Sequence, residues 1–288
     1  MGLEISIGWL TFFMFGALAV LLMAGLPLAF VTGGLACVFL FLFGDAQMLN
    51  ILPSRIFPMM TDYQLSAIPL FIFMASMLER AGIIEELFDV IYKILGGLKG
   101  GLATATIIAS TILAAMAGVI GATEVTMGII ALPAMLKRHY HPTIACGSIL
   151  AGGTLGILIP PSILAILFAV VAQQSVGELF IGAVIPGLLL SGLYILYVTA
   201  RSYLNPAVGP ALTLEERVDV RQKIRLLRGI IAPLILIALV LGVIFSGVAT
   251  PVEAAGIGTF GALVVAALSR RLNLRAVHEA ALTPLKAT

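Results

Sequence analysis

Five stretches of the chain carry no charged residue: Ile5–Gly44, Gly101–Thr123, Pro142–Gly177, Leu179–Ala200 and Gly229–Val252. Each exceeds the roughly 18–20 apolar residues that cross about 30 Å of hydrocarbon as a helix. Glycine and proline divide these stretches into elements. Spans are predicted over 9–23, 27–43, 65–78, 177–200, 229–247 and 251–268, with longer interrupted segments over 101–136 and 142–173. The Gly44–Tyr63 stretch, with Pro53 and Pro58, reads as a connection. Residues 79–95 differ: Glu79, Arg80, Glu85, Glu86, Asp89 and Lys93 alternate with Ile83, Ile84, Leu87, Val90, Ile91 and Ile94. That pattern predicts an amphipathic helix lying along the membrane interface.

Composition agrees with the pattern. The chain is 61% hydrophobic and 10% charged, with a mean hydropathy of +1.16, against about 25% charged residues in a soluble domain. A soluble enzyme, a nucleic-acid binder and a secreted disulfide scaffold are excluded, and the expectation is an all-α integral membrane protein of about eight membrane elements. Cys37 and Cys146 fall in apolar stretches and are expected as small buried hydrophobes. Met1–Gly8 holds no Lys or Arg and no small-residue cleavage site, so it reads as the start of a first span.

The distribution of Lys and Arg sets the direction of the spans. Arg201, Arg217, Arg221, Lys223, Arg225 and Arg228 make 201–228 a cytoplasmic connector. Arg270, Arg271 and Arg275 after the last span, and Lys137–Arg138 and Lys93–Lys99 earlier, fall on the same side. The N-terminus is then periplasmic. Segment 101–136 starts and ends in the cytoplasm and must enter and return, as a re-entrant hairpin. Capping signatures, a hydroxyl residue with Glu three later, stand at Ser175–Glu178, Thr213–Glu216 and Thr250–Glu253.

Two places inside these stretches are suited to binding. The hairpin tip contains Gly118, Val119, Gly121, Thr123, Glu124 and Thr126. Irregular backbone at membrane depth is tolerated only where protein buries it or it lines a cavity, and free amides and carbonyls there suit a small ion or an anionic group. Back-bonding of Thr123 and Thr126 to their own helix is the alternative. Glu124 is the sole acid of the hairpin, either an ion-coupling residue or a neutral, hydrogen-bonded one. The second place is Gly152–Ser162, where Thr154, Gly156, Ile159, Pro160, Pro161 and Ser162 surround a Pro-Pro pair. Proline removes a helical donor and disfavours helix before it, so a discontinuous helix is predicted, with carbonyls turned to a cavity or cation. No third ligand accompanies His139 and His141, so no metal site other than a possible sodium site is expected.

The Pro27 and Pro251 segments each open an apolar helix with a glycine seven residues later, Gly34 and Gly258. Five crossings plus a hairpin separate their repeats, which inverts the second copy. Residues 1–200 read as a first repeat and 229–288 as the start of a second, truncated one.

At Gly152–Ser162, Ala249–Ala255 and the hairpin Ala114–Met135 the sequence resembles the large membrane subunit of tripartite ATP-independent periplasmic (TRAP) transporters. Many members have two serines after the first hairpin glycine, where this chain has Val119 and Ile120. The resemblance implies a sodium-coupled elevator in the bacterial inner membrane, importing an organic acid such as a C4-dicarboxylate. It also implies a periplasmic binding protein that delivers the substrate and a small four-helix membrane subunit as partners, with Na+ as coupling ion and no cofactor. Gly118–Thr123 and Thr154–Ser162 would form a sodium site and one wall of the substrate site. No ATP-binding motif is present. The alternatives are an inactive, truncated transporter or, from other classes, a channel or an intramembrane enzyme. No ring-forming, metal or nucleophile constellation is visible for the last two.

Overall fold

The computed structural model describes residues 6–43, 46–118, 120–211 and 220–287. All regular structure among them is helical. The chain divides into two units, Met1–Asp62 and Tyr63–Thr288.

The first unit contains α1 (Ile7–Met23), α2 (Leu28–Phe43), a 3₁₀ turn at Ala46–Asn50 and α3 (Ile51–Met60). Gly25 takes a left-handed conformation (φ 83°), turning the chain between α1 and α2. The Pro27 carbonyl then accepts from Phe30 and Val31. Val31 is the single buried residue of these two helices. Trp9, Phe12, Phe15, Phe30 and Phe41 are exposed. A helix that is apolar all round and unburied in its own fold is suited to hydrocarbon. The expected connection after Gly44 instead contains α3, which runs through Pro58.

The second unit runs from a 3₁₀ turn at Tyr63–Ser66 through α4 (Ala67–Arg80), α5 (Ile83–Leu95), α6 (Gly101–Ala117), α7 (Ile120–Lys137), α8 (Pro142–Leu158), α9 (Ile163–Ala172), α10 (Val176–Leu204), α11 (Val220–Phe245), α12 (Pro251–Leu268) and α13 (Leu274–Ala287). The amphipathic stretch begins at Ile83 rather than 79. Gly82 is left-handed (φ 65°) and separates it from α4, which keeps Glu79 and Arg80 in its last turn. Ile83, Ile84, Leu87, Phe88, Val90 and Ile91 of α5 are buried. The second half of the connector is continuous with the following span, since α11 starts at Val220. Sequence reading assigned no helix to α13, which docks on α4 through Ser76 Oγ donating to Thr283 Oγ1 (3.1 Å) and the Arg80–Glu279 ion pair.

Among the described residues, three lengths are long and apolar enough to cross a membrane: Pro142–Ala172, Val176–Leu204 and Pro251–Leu268. Ile7–Met23, Leu28–Phe43, Gly101–Met116 and Ile230–Phe245 are apolar but shorter. The helix caps follow the sequence in part. Thr250 and Glu253 cap each other, with Thr250 N–H donating to Glu253 Oε2 (2.8 Å) and Glu253 N–H to Thr250 Oγ1 (3.3 Å). Ser175 Oγ accepts from the Glu178 amide (3.4 Å), and the expected Thr213–Glu216 cap lies outside the described residues. Cys37 and Cys146 are exposed rather than buried, because an apolar face meant for lipid accommodates a thiol as readily as a core does.

Candidate functional site

α6 and α7 form a helical hairpin packed along α8. Both ends of the hairpin are tied to the strap that follows α10: the Gly100 amide donates to the Gly209 carbonyl (2.8 Å) and the His141 amide to the Val208 carbonyl (3.1 Å). Beside the strap, Tyr140 is buried and its hydroxyl accepts from the Leu102 amide (3.2 Å), one of the donors left free at the start of α6. Burial pushes the Tyr140 hydroxyl up to about 12. Two hydroxyl pairs join α6 to α10, Thr104 with Thr199 (3.2 Å) and Thr111 with Ser191 (2.7 Å).

At the other end, the hairpin tip meets the break between α8 and α9. Gly118 closes α6 in the left-handed region (φ 61°). Its carbonyl accepts from the Ile163 amide (3.3 Å), and a Cβ at this position would fall onto the Pro161 carbonyl oxygen. Only glycine fits there, on both counts. The break itself is short. α8 passes through Gly152, Gly153, Thr154 and Gly156 as regular helix, and the unwound stretch is 159–162, with Ile159 extended and the Pro160–Pro161 peptide cis. The glycines of this segment therefore stay helical and admit neighbours, and the break falls at the proline pair. Ser162 is 1% exposed and caps α9, its Oγ accepting from the Ala165 amide (3.4 Å). On the far side, Gly187 of α10 leaves room for Ile159, whose Cγ1 would stand 2.8 Å from a Cβ at 187.

Four helix ends thus converge: the C-termini of α6 and α8 and the N-termini of α7 and α9. Helix C-termini present carbonyls and partial negative charge, N-termini amides and partial positive charge. Pro160 and Pro161 have no amide proton, so the carbonyls of Gly156 and Ile157 lose their helical donors. The arrangement offers carbonyl oxygens to a cation and amides to an anionic group within one junction.

The residues singled out from sequence divide as follows. Gly118, Ile159, Pro160, Pro161 and Ser162 meet at the junction and are buried, and buried Gly156 sits just before it. Thr123 is buried near the tip, and Val119 lies outside the described residues. Thr126 is buried further along α7 and donates to Glu79 Oε1 of α4 (3.1 Å), rather than back-bonding to its own helix. Gly121 lies on the exposed face of α7 with Val125 and Ile129. Thr154 is exposed too, its Oγ1 donating to the Ala151 carbonyl (2.8 Å). Glu124 is half-buried, its side chain lying over Gly153. Sequence reading missed Gly187, Tyr140 and the 205–209 strap, because their roles depend on partners 28 to 109 positions away. A crevice of about 300 Å³ between α6, α8 and α10, lined by Thr143, Ser148, Tyr194 and Tyr197 among others, lies nearer the strap than the break.

Residues 15–288 match the family described as "Tripartite ATP-independent periplasmic transporter, DctM component". The chain belongs to the DctM family. The C4-dicarboxylate TRAP transporter large permease protein DctM of Pseudomonas aeruginosa is 34% identical over 226 residues, covering 77% of this chain and 51% of that protein. The protein of the same name in Rhodobacter capsulatus is 31% identical over 281 residues, covering 91% and 62%. The ectoine/5-hydroxyectoine TRAP transporter large permease protein UehC of Ruegeria pomeroyi is 32% identical, covering 93% and 62%. The chain spans between half and two thirds of the length of these relatives. The DctM family is one of transporter permeases rather than enzymes, and this member is an integral membrane protein.

Proposed function

We propose that this DctM-family chain forms the hairpin and broken-helix part of a sodium-coupled permease that imports an organic acid. The observation that carries the reading is the convergence of four helix ends where the Gly118 carbonyl meets the Ile163 amide. Carbonyls of α6 and α8 would hold Na+, and the amide ends of α7 and α9 would face a carboxylate, as discontinuous helices do in secondary transporters. The depth of the junction supports it. Pro142–Ala172 is 31 residues long, about 46 Å as a helix, and the break begins about 25 Å along it. If that length crosses the bilayer, the tip sits near mid-membrane and the hairpin is re-entrant. Hairpin, α8 and α9 are bonded to one another and would move as one body in an elevator.

The orientation proposed is the one the basic residues favour, with the 201–228 connector cytoplasmic and the N-terminus periplasmic in a bacterial inner membrane. The proposed partners are a periplasmic binding protein that delivers the carboxylate and a small four-helix membrane subunit. The test is uptake by the permease carrying this sequence, reconstituted in proteoliposomes with both partners, of radiolabelled carboxylates under an inward sodium gradient. Accumulation that collapses when choline replaces sodium is expected. Accumulation indifferent to sodium, or dependent on ATP, would overturn the proposal.

A further inference from the structure

α13 rests against α4 by one face and turns an apolar face outward. Ala276, Ala280 and Pro284 are buried on the inner side, with Thr283 half-buried beside them. The Thr283 hydroxyl accepts from Ser76 Oγ of α4 (3.1 Å) and donates to the Glu279 carbonyl (3.2 Å), so it is committed to holding the two helices together. On the outer side Leu274, Leu282 and Leu285 recur at helical spacing and are exposed, Leu274 and Leu285 at 90% and 75%. Leucines along one face of a charged helix suit the headgroup boundary of a bilayer. Only 269–273 separate α13 from α12, which is long and apolar enough to cross a membrane, so the helix starts at the bilayer surface.

Cations flank the leucines. Arg275 and Lys286 are exposed on α13, and Arg80 is exposed at the end of α4. An open crevice of about 480 Å³ between the two helices is lined by Arg80, Glu279, Leu282, Thr283 and Lys286. Three cations meet one carboxylate here. Glu279 pairs with Arg80 through Oε2 and with Arg275 through Oε1 (3.0 Å), which engages both of its oxygens. Lys286 lies about 10 Å further along α13 and makes no ion pair or hydrogen bond among the described residues. The crevice therefore keeps an excess of positive charge beside an apolar face at the membrane surface.

We propose that this crevice binds the headgroup of an acidic phospholipid, with its phosphate between Arg80 and Lys286 and its acyl chains along Leu282 and Leu285. Basic residues at a membrane surface attract acidic lipids. A soluble phosphate compound would satisfy the cations and leave the leucines uncovered. The lipid ties α13 to α4 from outside, as Thr283 does from inside. The site needs membrane insertion and not sodium coupling; on the orientation proposed above, the lipid belongs to the cytoplasmic leaflet.

The experiment uses the purified permease carrying this sequence, delipidated in neutral detergent and followed by native mass spectrometry and thermal melts. It is titrated with dioleoylphosphatidylglycerol, dioleoylphosphatidylcholine or soluble glycerol 3-phosphate. Phosphatidylglycerol is expected to raise the melting temperature, phosphatidylcholine to bind about tenfold or more weakly, and glycerol 3-phosphate to have no effect. Lys286→Ala should weaken phosphatidylglycerol about fivefold, Lys286→Glu should retain one lipid fewer per chain, and Lys286→Arg should titrate like the parent. Glu279→Gln removes the one carboxylate and should bind at least as tightly as the parent. Lys93→Ala, whose ammonium pairs with Asp89 on α5, should titrate like the parent. Lys286 is exposed and unpaired, so its variants keep the fold, as circular dichroism checks. Equal binding of the two lipids, a Lys286→Glu protein that titrates like the parent, or stabilisation by glycerol 3-phosphate equal to that by the lipid would each overturn the site. So would a lipid-free dimer that Leu285→Glu separates, because a second copy would then cover the face. If uptake is sodium-driven and the lipid preference is absent, the site alone fails. If uptake is indifferent to sodium and the lipid preference holds, the transport reading alone fails.

Discussion

Where the hairpin meets the broken helix, backbone touches backbone. Gly118 lies against the Pro161 carbonyl, and one main-chain hydrogen bond, Ile163 to Gly118, closes the contact. Where α4 meets α12 and α13, side chains make the joint. Thr259 Oγ1 donates to the Leu70 carbonyl (3.0 Å), and Glu279 pairs with Arg80 and Arg275. Arg271 donates to the Ala81 and Gly82 carbonyls (3.0 and 2.8 Å) and pairs with Glu86 at 3.2 Å. Both regions use glycine for close approach, but Gly258 of α12 faces the flexible end of Met74. The first joint leaves main-chain polar groups available to a ligand. The second spends its polar groups on itself. That difference is the ground for proposing binding at the first joint and support at the second.

The contrast can be broken by substitution. Gly118→Ala should have the largest effect, because it adds a left-handed strain and a collision with main chain that cannot move aside. A loss of about 3 kcal/mol of stability is expected, with uptake abolished, as read from thermal melts and transport assays. Arg271→Ala removes two carbonyl bonds at the end of α4 and a half-exposed ion pair. About 2 kcal/mol is expected, with Arg271→Lys restoring only part of it because an ammonium lacks the fork. Transport by the folded fraction should be retained, since the residue supports and does not bind.

Tyr140→Phe leaves the Leu102 amide without its acceptor and should cost about 1–1.5 kcal/mol. Tyr140 also gives the base of the hairpin a pH signature. Its hydroxyl is raised from 10.0 to about 12 by burial, so the unfolded chain loses that proton first as pH rises. Its contribution to stability is constant below about pH 10 and declines between about 10 and 12, and Tyr140→Phe should remove that component of the decline. The smallest effect is expected for Gly258→Ala, below about 1 kcal/mol, because Met74 can swing away. A cost there equal to that of Gly118→Ala would erase the distinction between the two joints.

Much of this was legible from local chemistry. Pro160–Pro161 places the break, and the hairpin expected over 101–136 has its two ends together, Gly100 and His141 bonding one strap. The helices that sequence missed or misplaced have equally local reasons. α3 runs on through Pro58, and α5 is separated from α4 by one left-handed glycine at 82. Long-range pairings were not legible. Helices apolar all round have no periodicity to say which face meets which neighbour. Nothing in the run 101–123 therefore distinguishes Ser110, which faces Gly152, from Thr111, which bonds Ser191. The role of Gly152 and Gly153 was hidden for the same reason: glycine in a helix says nothing of the side chains that lie over it.

Hydrogen exchange of the purified protein, with and without sodium at constant ionic strength, tests most directly whether the tip and the break form one ion-binding unit. Peptides covering 114–122 and 156–166 are predicted to gain protection together when sodium is added, while those covering 76–86 and 270–282 stay unchanged. Protection that rises at only one of the first two segments, or equally at the α4–α13 corner, would contradict the account.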